Sequence, residues 1–349
     1  MKKIVGATAH INLDFDLIKG AGITAFRHGF GYPFKGADKT ALNEGFKRSY
    51  ARGLELNKNG FSLLGSTFGP GSYRFDEKAG KTVWVPSVPA EIGTYADDSF
   101  YDFVELATET LGRECKDMCE YWQVANEPDI DIFHGDMTFE QQCRFLTASA
   151  KGLIKGNPNA KPGINIGFMS KEAEKLIEAI YNTPDSPFYY LGVDGYMGSW
   201  QDGKEIANKN SGAEAWSEFI DRAVEVSKRP IIINEWGYST LQSGPNPDPE
   251  GLRKYNQNVC KEKQWFHKWQ GKDHSEQLQA EYIMIAMKIF AEHPAVIGEF
   301  FFRWSDTDTC WQCGDPLCPA ECAWGVVDTK GKPKPGYYAL KEAYEKYFK

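Results

Sequence analysis

Residues 231–237 are Ile-Ile-Ile-Asn-Glu-Trp-Gly, a continuous apolar run that ends in Asn234 and Glu235. Continuous rather than alternating apolar residues indicate a strand covered on both faces, as parallel strands in α/β proteins are. In such folds the C-terminal ends of the strands frame the cleft where ligands bind. Glu235 is therefore the first candidate for a functional residue in this chain.

Seven further short apolar runs accompany this one, with longer segments of helical periodicity between them. One of these segments opens with a capping box, Thr138 to Gln141. Eight βα units favour a closed (β/α)₈ TIM barrel over an open doubly wound sheet, and no Gly-rich phosphate loop follows the first strand. With 231–234 as the seventh strand, we predict the others at Ile4–Ala9, Thr24–Phe30, Phe61–Thr67, Tyr121–Ala125, Gly163–Phe168, Leu191–Tyr196 and Val296–Arg303.

The chain is longer than the roughly 250 residues that a plain barrel needs. The surplus fits two long inserts, 69–98 after the third strand and 239–273 after the seventh, and a cysteine-rich loop after the eighth. All three follow strands, so we expect them above the catalytic face. No linker or repeat divides the sequence, and we predict a single domain over residues 1–349.

Composition excludes several classes of partner. The net charge is −8 with no basic block, so nucleic acid is not an expected partner. No apolar stretch approaches 18 residues, so no membrane span is predicted. The N-terminus lacks the apolar region of a signal peptide, which indicates a cytoplasmic protein unless a signal was trimmed. Oligomeric state and native compartment stay open.

A second glutamate repeats the pattern of the first. Residues 122–128 are Trp-Gln-Val-Ala-Asn-Glu-Pro, so Glu127 also follows an asparagine at the end of an apolar run. Two carboxylates in one cleft can supply the acid and the nucleophile that cleavage of a glycosidic bond requires.

Asn126-Glu127-Pro128 after strand four, Glu235-Trp236-Gly237 after strand seven and Trp304 at the end of strand eight resemble glycoside hydrolase clan A. This superfamily comprises retaining glycosidases with a (β/α)₈ barrel, and no single family within it is indicated. The resemblance implies that Glu127 is the acid/base and that Glu235 is the nucleophile.

Four neighbouring residues match the clan pattern. The resemblance implies that Asn126 bonds the sugar 2-hydroxyl, that Arg27 holds the nucleophile ionised and that Tyr196 bonds the nucleophile. Trp304 would form the aromatic floor of the subsite for the cleaved sugar. The clan often has histidine two positions before the tyrosine, where this chain has Asp194.

Other candidates for substrate contact lie on loops of the catalytic face. His134 follows the acid/base, and Trp200 and Trp236 are predicted to offer rings for stacking on sugar. The same loops are expected to carry Trp84, Trp265, Trp269 and Trp311.

Four of the eight cysteines fall within thirteen residues, at Cys310, Cys313, Cys318 and Cys322. Four thiolates at this spacing can form a tetrahedral structural Zn site, and two disulfides could restrain the same loop. In either case we expect a structural role, because four thiolates leave no open position on a metal. No cofactor is expected for catalysis.

The sequence therefore predicts a retaining glycoside hydrolase that cleaves a β-linked oligo- or polysaccharide. An exo-acting β-glycosidase on small glycosides is the alternative within the class. Two alternatives belong to other classes of function: a non-catalytic carbohydrate-binding barrel and a Zn-dependent hydrolase that uses the cysteine cluster.

Overall fold

Parallel strands form the centre of the molecule. The computed structural model describes residues 2–8, 13–76, 78, 80–199, 212–241, 269–310, 314 and 316–349. Most strands are continuously apolar, which suits their burial between a filled barrel interior and an outer layer of helices. Along the chain they are β1 (Ile4–Thr8), β2 (Ala25–Gly29), β3 (Ser62–Ser66), β4 (Cys119–Gln123), β5 (Lys161–Gly163 and Asn165–Ile166), β6 (Leu191–Gly195), β7 (Ile231–Trp236) and β8 (Val296–Phe302).

The strands pair in sequence order into a ring. Each pairs in parallel with its successor, and β8 pairs with β1. The two ends of the sheet are the two segments of β5, which only Ile164 separates. The chain itself thus closes the barrel, and the predicted (β/α)₈ fold is confirmed.

Helices cover the outside of this ring, and each follows one strand. Ser275 begins the seventh helix by accepting a bond from the Leu278 N–H, and Thr138 forms the predicted capping box. Among the described helices, none combines the length and hydropathy that crossing a bilayer requires. They are α1 (Phe15–Gly20), α2 (Glu44–Lys58), α3 (Asp98–Glu114), α4 (Phe139–Gly156), α5 (Lys171–Tyr181), α6 (Trp216–Ser227), α7 (Glu276–Glu292) and α8 (Pro335–Tyr347).

The lower half of the barrel interior is apolar. A separate buried cluster fills it, formed by Ala25, Leu64, Tyr190, Ile232 and Phe300. The Phe300 ring occupies the space that a side chain at Gly6 would need, so glycine at that position permits the packing. This layer supports the polar residues at the C-terminal ends of the strands.

Loops at the C-terminal ends carry additional structure. A small antiparallel hairpin, Phe34–Lys35 with Asp38–Leu42, follows β2. A second one, Gly71–Asp76 with Lys81–Pro86, forms the first part of the insert predicted after β3. Most of the insert predicted after β7 lies outside the described residues.

The fourth strand ends two residues earlier than predicted. We expected Tyr121–Ala125, whereas β4 spans Cys119–Gln123. Ala125 has a φ of 59°, in the left-handed region that an extended strand cannot contain. The chain therefore leaves the sheet before it reaches the acidic residue.

Candidate active site

A layer of polar side chains lies across the C-terminal mouth of the barrel. Each of five strands contributes one buried or half-buried group at its end. Hydrogen bonds and an ion pair connect them into one network, so the site is built by the whole ring rather than by one loop. The groups are Arg27 of β2, Gln123 of β4, Asn165 of β5, Asp194 of β6 and Glu235 of β7.

The Glu235 carboxylate is held by two donors. Arg27 Nη1 forms an ion pair with Oε1, and the Tyr196 hydroxyl donates to Oε2. Only about a tenth of the Glu235 surface is exposed. Two donors, one of them a cation, therefore fix the orientation of this buried carboxylate.

The Arg27 guanidinium is fixed by further acceptors. Its Nε donates to Gln123 Oε1 at 2.6 Å, and its Nη2 donates to Asn126 Oδ1 at 2.7 Å. Burial acts to lower the pKa of Arg27, but the charges of Glu235 and Asp194 outweigh it and raise that pKa. The guanidinium is therefore a permanent cation in the centre of the site.

Glu127 leaves β4 through an unusual backbone. Its φ is 38°, so it lies with Ala125 in the left-handed region, where residues other than glycine are strained. Asn165 Oδ1 accepts from the Glu127 N–H at 3.1 Å and stabilises this conformation. A side chain at Gly167 would come within 2.9 Å of Glu127 Oε1, so glycine there leaves room for the carboxyl group.

The two glutamates have different electrostatic surroundings. Burial raises the pKa of Glu127 well above its ordinary value, and the charges of Glu235 and Asp129 raise it further. The Arg27 charge offsets this in part, but Arg27 bonds Glu235 and not Glu127. The surroundings of Glu127 therefore favour its protonated form.

Trp236 does not line the cleft, so the prediction that it contacts substrate is wrong. Its indole is fully buried, packs against Phe290 and Phe301, and donates through Nε1 to Glu299. Successive strand residues point to opposite faces, so the residue after Glu235 points out of the barrel towards the helices. Trp269 is buried in the same outer layer.

Trp304 also differs from its predicted role. Its side chain is 2% exposed and packs against Tyr337 of α8, so it offers no face to a sugar. Phe302, two residues earlier, is half-buried, and its ring lies 5.8 Å from that of Tyr196. The Trp324 ring lies 4.7 Å from that of Tyr196 and 6.0 Å from that of Phe302, so the three rings form one cluster. Phe302, rather than Trp304, is therefore the aromatic residue near the end of β8 that contacts Tyr196.

The remaining predicted residues are more distant from this network or undescribed. His134 bonds the Gly135 carbonyl at 2.9 Å and lies 3.3 Å from Asp131 within its own short turn (Asp131–His134). No contact among the described residues links it to the two glutamates. Trp200 lies outside the described residues, as do Trp265 and Trp311.

The cysteine-rich loop folds beside the site. Cys310, Cys318 and Cys322 are buried in one cluster with Trp324, which contacts Tyr196. Cys313 is outside the described residues, and the residues that are described contain no set of three ligands arranged for a metal. Zn or disulfides in this loop stay a prediction.

Three buried residues of the network were not predicted as site residues from the sequence: Gln123, Asn165 and Asp194. Gln123 accepts from Asn234 at 2.9 Å as well as from Arg27. Asn165 donates to Asp194 at 2.6 Å and to Asn126 at 3.2 Å. The available signal was a single polar residue inside an apolar run, as in Ile164-Asn165-Ile166.

Comparison with known proteins places the fold. No protein-family model matches the chain, and no curated protein matches it in sequence. A glucosidase from Croceicoccus marinus superposes with a TM-score of 0.65 at 12% identity, covering 99% of this chain and 68% of the other. The GH53 catalytic domain of Ignisphaera aggregans superposes with a TM-score of 0.63 at 16% identity, covering 98% of this chain and 91% of the other. A structure of fungal β-1,4-galactanases superposes with a TM-score of 0.63 at 11% identity, covering 98% of this chain and 99% of the other.

The chain shares the (β/α)₈ barrel fold of these solved structures. At these identities the similarity establishes the barrel and its strand order, while the chemistry must be argued from the residues of this chain.

Proposed function

We propose that this protein is a retaining glycoside hydrolase in which Glu235 is the nucleophile and Glu127 is the acid/base. One observation carries the proposal: Glu235 forms an ion pair with Arg27 and accepts a bond from Tyr196, next to a half-buried Glu127 whose surroundings favour its protonated form. A carboxylate and a carboxylic acid that face one cleft are the two groups that double displacement at an anomeric carbon uses.

In the first step Glu235 Oε attacks the anomeric carbon as the bond to the glycosidic oxygen breaks. Glu127 donates its proton to the departing oxygen, and a covalent glycosyl ester forms on Glu235. In the second step Glu127, now a carboxylate, removes a proton from water, which attacks the anomeric carbon and releases Glu235. The sugar leaves with the configuration it had in the substrate.

A β-linked oligo- or polysaccharide is the substrate class that we propose. The hairpin after β3 carries Tyr73 and Trp84, whose rings lie 5.0 Å apart. Trp84 also lies against Gly135, in the segment after Glu127, so this aromatic pair extends outwards from the acid/base side of the cleft. Rings in such a place can stack on sugar units beyond the cleaved bond. An exo-acting β-glycosidase on small glycosides is the alternative.

Trapping with 2-deoxy-2-fluoro-β-glycosides of several sugars tests the proposal. We expect a stable adduct by intact-mass spectrometry on the peptide that contains Glu235, and none in Glu235→Gln. An adduct on another residue, or hydrolysis that yields the α-anomer by proton NMR, would overturn the double-displacement assignment.

A further inference from the structure

A third carboxyl group, that of Asp194, lies in the site and has no part in the mechanism above. It is fully buried at the end of β6, and β6 pairs with β7 so that Asp194 lies beside Glu235. The Asp194 and Glu127 carboxyl groups are within hydrogen-bond reach of each other. Its position is the one where the clan pattern often has histidine.

Asp194 uses only one of its oxygens in conventional hydrogen bonds. Oδ2 accepts from Asn165 Nδ2 at 2.6 Å. Oδ1 is buried, and no N–H or hydroxyl group of the described residues donates to it. A buried carboxylate oxygen without a donor is costly, and a proton on the neighbouring Glu127 carboxyl group satisfies it.

The charges of the site also favour one proton between Glu127 and Asp194. If Glu127, Asp194 and Glu235 were all ionised, three carboxylates would surround the single guanidinium of Arg27 in a buried space. One proton shared by Glu127 and Asp194 relieves this repulsion. Five ionisable groups face the pair. They are Arg27 of β2, Glu235 of β7, Tyr190 directly before β6, Tyr196 directly after β6, and Asp129.

Hydrogen-bond geometry decides which of the two groups holds the shared proton. The Asn165 amide donates to Asp194 at 2.6 Å, which favours the ionised form of Asp194. The amide donor to Glu127, Asn126 Nδ2, is at 3.3 Å and so stabilises a charge there less. These two distances favour Glu127 as the group that holds the shared proton.

We propose that Asp194 is a positioning residue that accepts a hydrogen bond from the protonated Glu127 and keeps it protonated until it donates to the glycosidic oxygen. This inference rests on the proposed function. When Glu127 loses its proton, Glu235 loses its charge by forming the ester, so the net charge of the site is the same before and after the first step. Asp194 then makes Glu127 the stronger base for the attack of water.

The test compares the pH dependence of kcat/KM in the wild type, Asp194→Asn and Glu299→Gln. Glu299 is a matched control because it is an equally buried carboxyl group that bonds Trp236 outside the barrel interior. The alkaline limb of the kcat/KM profile reports loss of the proton from Glu127. In Asp194→Asn this limb should move to lower pH by about one unit, since a like charge beside Glu127 has been removed. In Glu299→Gln it should not move. A limb that stays in place in Asp194→Asn overturns the proposal, whatever the loss in kcat.

A second measurement needs neither substrate nor a folded Asp194 variant. In protein with ¹³C-labelled aspartate carboxyl groups, the Asp194 signal of the wild type should shift a second time at alkaline pH, when the neighbouring Glu127 loses its proton, and this step should be absent in Glu127→Gln. A wild-type Asp194 signal without the alkaline step would overturn the proposal. Because this arm involves no turnover, it also separates failure of the carboxyl pair from failure of the proposed hydrolase activity.

Discussion

Arg27 and Glu235 form an ion pair that joins the ends of β2 and β7 across the mouth of the barrel. Both side chains are about nine-tenths buried, so neither charge has water as an alternative partner. Removing one member of such a pair leaves an uncompensated buried charge, which is more costly than the pair itself is favourable.

Arg27→Met is therefore expected to lower the free energy of unfolding by about 3–5 kcal/mol. In a Glu235→Gln background the same substitution should cost much less, because the carboxylate that pairs with Arg27 is absent. Urea unfolding of the two single variants and the double variant measures the difference. Equal costs in both backgrounds would contradict the ion pair as the origin of the effect.

Glu235→Gln should reduce kcat by more than about 10⁴-fold, the scale observed when a covalent nucleophile is removed from another hydrolase. Substrate affinity should change little, since glutamine keeps the size and polarity of the side chain. Calorimetric titration with an oligosaccharide and a kinetic assay on the same preparation check both parts. Turnover close to that of the wild type would exclude Glu235 as nucleophile.

Glu127→Ala should lower kcat/KM by about 10²–10⁴-fold on substrates with poor leaving groups and much less on activated aryl glycosides. An activated leaving group needs no proton, so the first step survives the loss of the acid. Azide should then restore turnover and give a β-glycosyl azide, identifiable by NMR. If leaving-group ability has no influence and azide does not rescue, Glu127 is not the acid/base.

Glu299 should make the wild type less stable as the pH rises. Burial raises its pKa to about 8, so the folded protein binds a proton that the unfolded chain releases near pH 4.5. The stability that this proton confers is complete below about pH 4.5 and is lost as the pH rises towards 8.

Glu299→Gln keeps the bond from Trp236 without an ionisable group, so it should lack this loss. The difference in unfolding free energy between variant and wild type, measured from pH 4 to 9, should grow through that window. A constant difference would show that Glu299 does not titrate as proposed here.

The barrel and both glutamates could be predicted from sequence because the relevant signals are local. Continuous apolar runs mark buried parallel strands, and a polar residue at the end of such a run lies in the cleft. The same alternation would have placed Trp236 on the opposite face from Glu235, so that error was avoidable.

Other features depend on tertiary structure. The contact of Trp324 with Tyr196 follows from the path of the loop after β8, which no local pattern specifies. The bonds of Asn165 to Asp194 and to the Glu127 backbone require the fifth strand to lie between the fourth and the sixth. They could not be read from spacing alone.

The position of Asn165 in the ring makes the site sensitive to closure of the barrel. Asn165 of β5 bonds Asp194 of β6 on one side and Asn126 and Glu127, which follow β4, on the other. The polar network is therefore complete only when the fifth strand is paired with both of its neighbours. If the proposed mechanism holds, activity reports on closure of the ring, and a folding intermediate that has all its helices but an open ring is expected to be inactive.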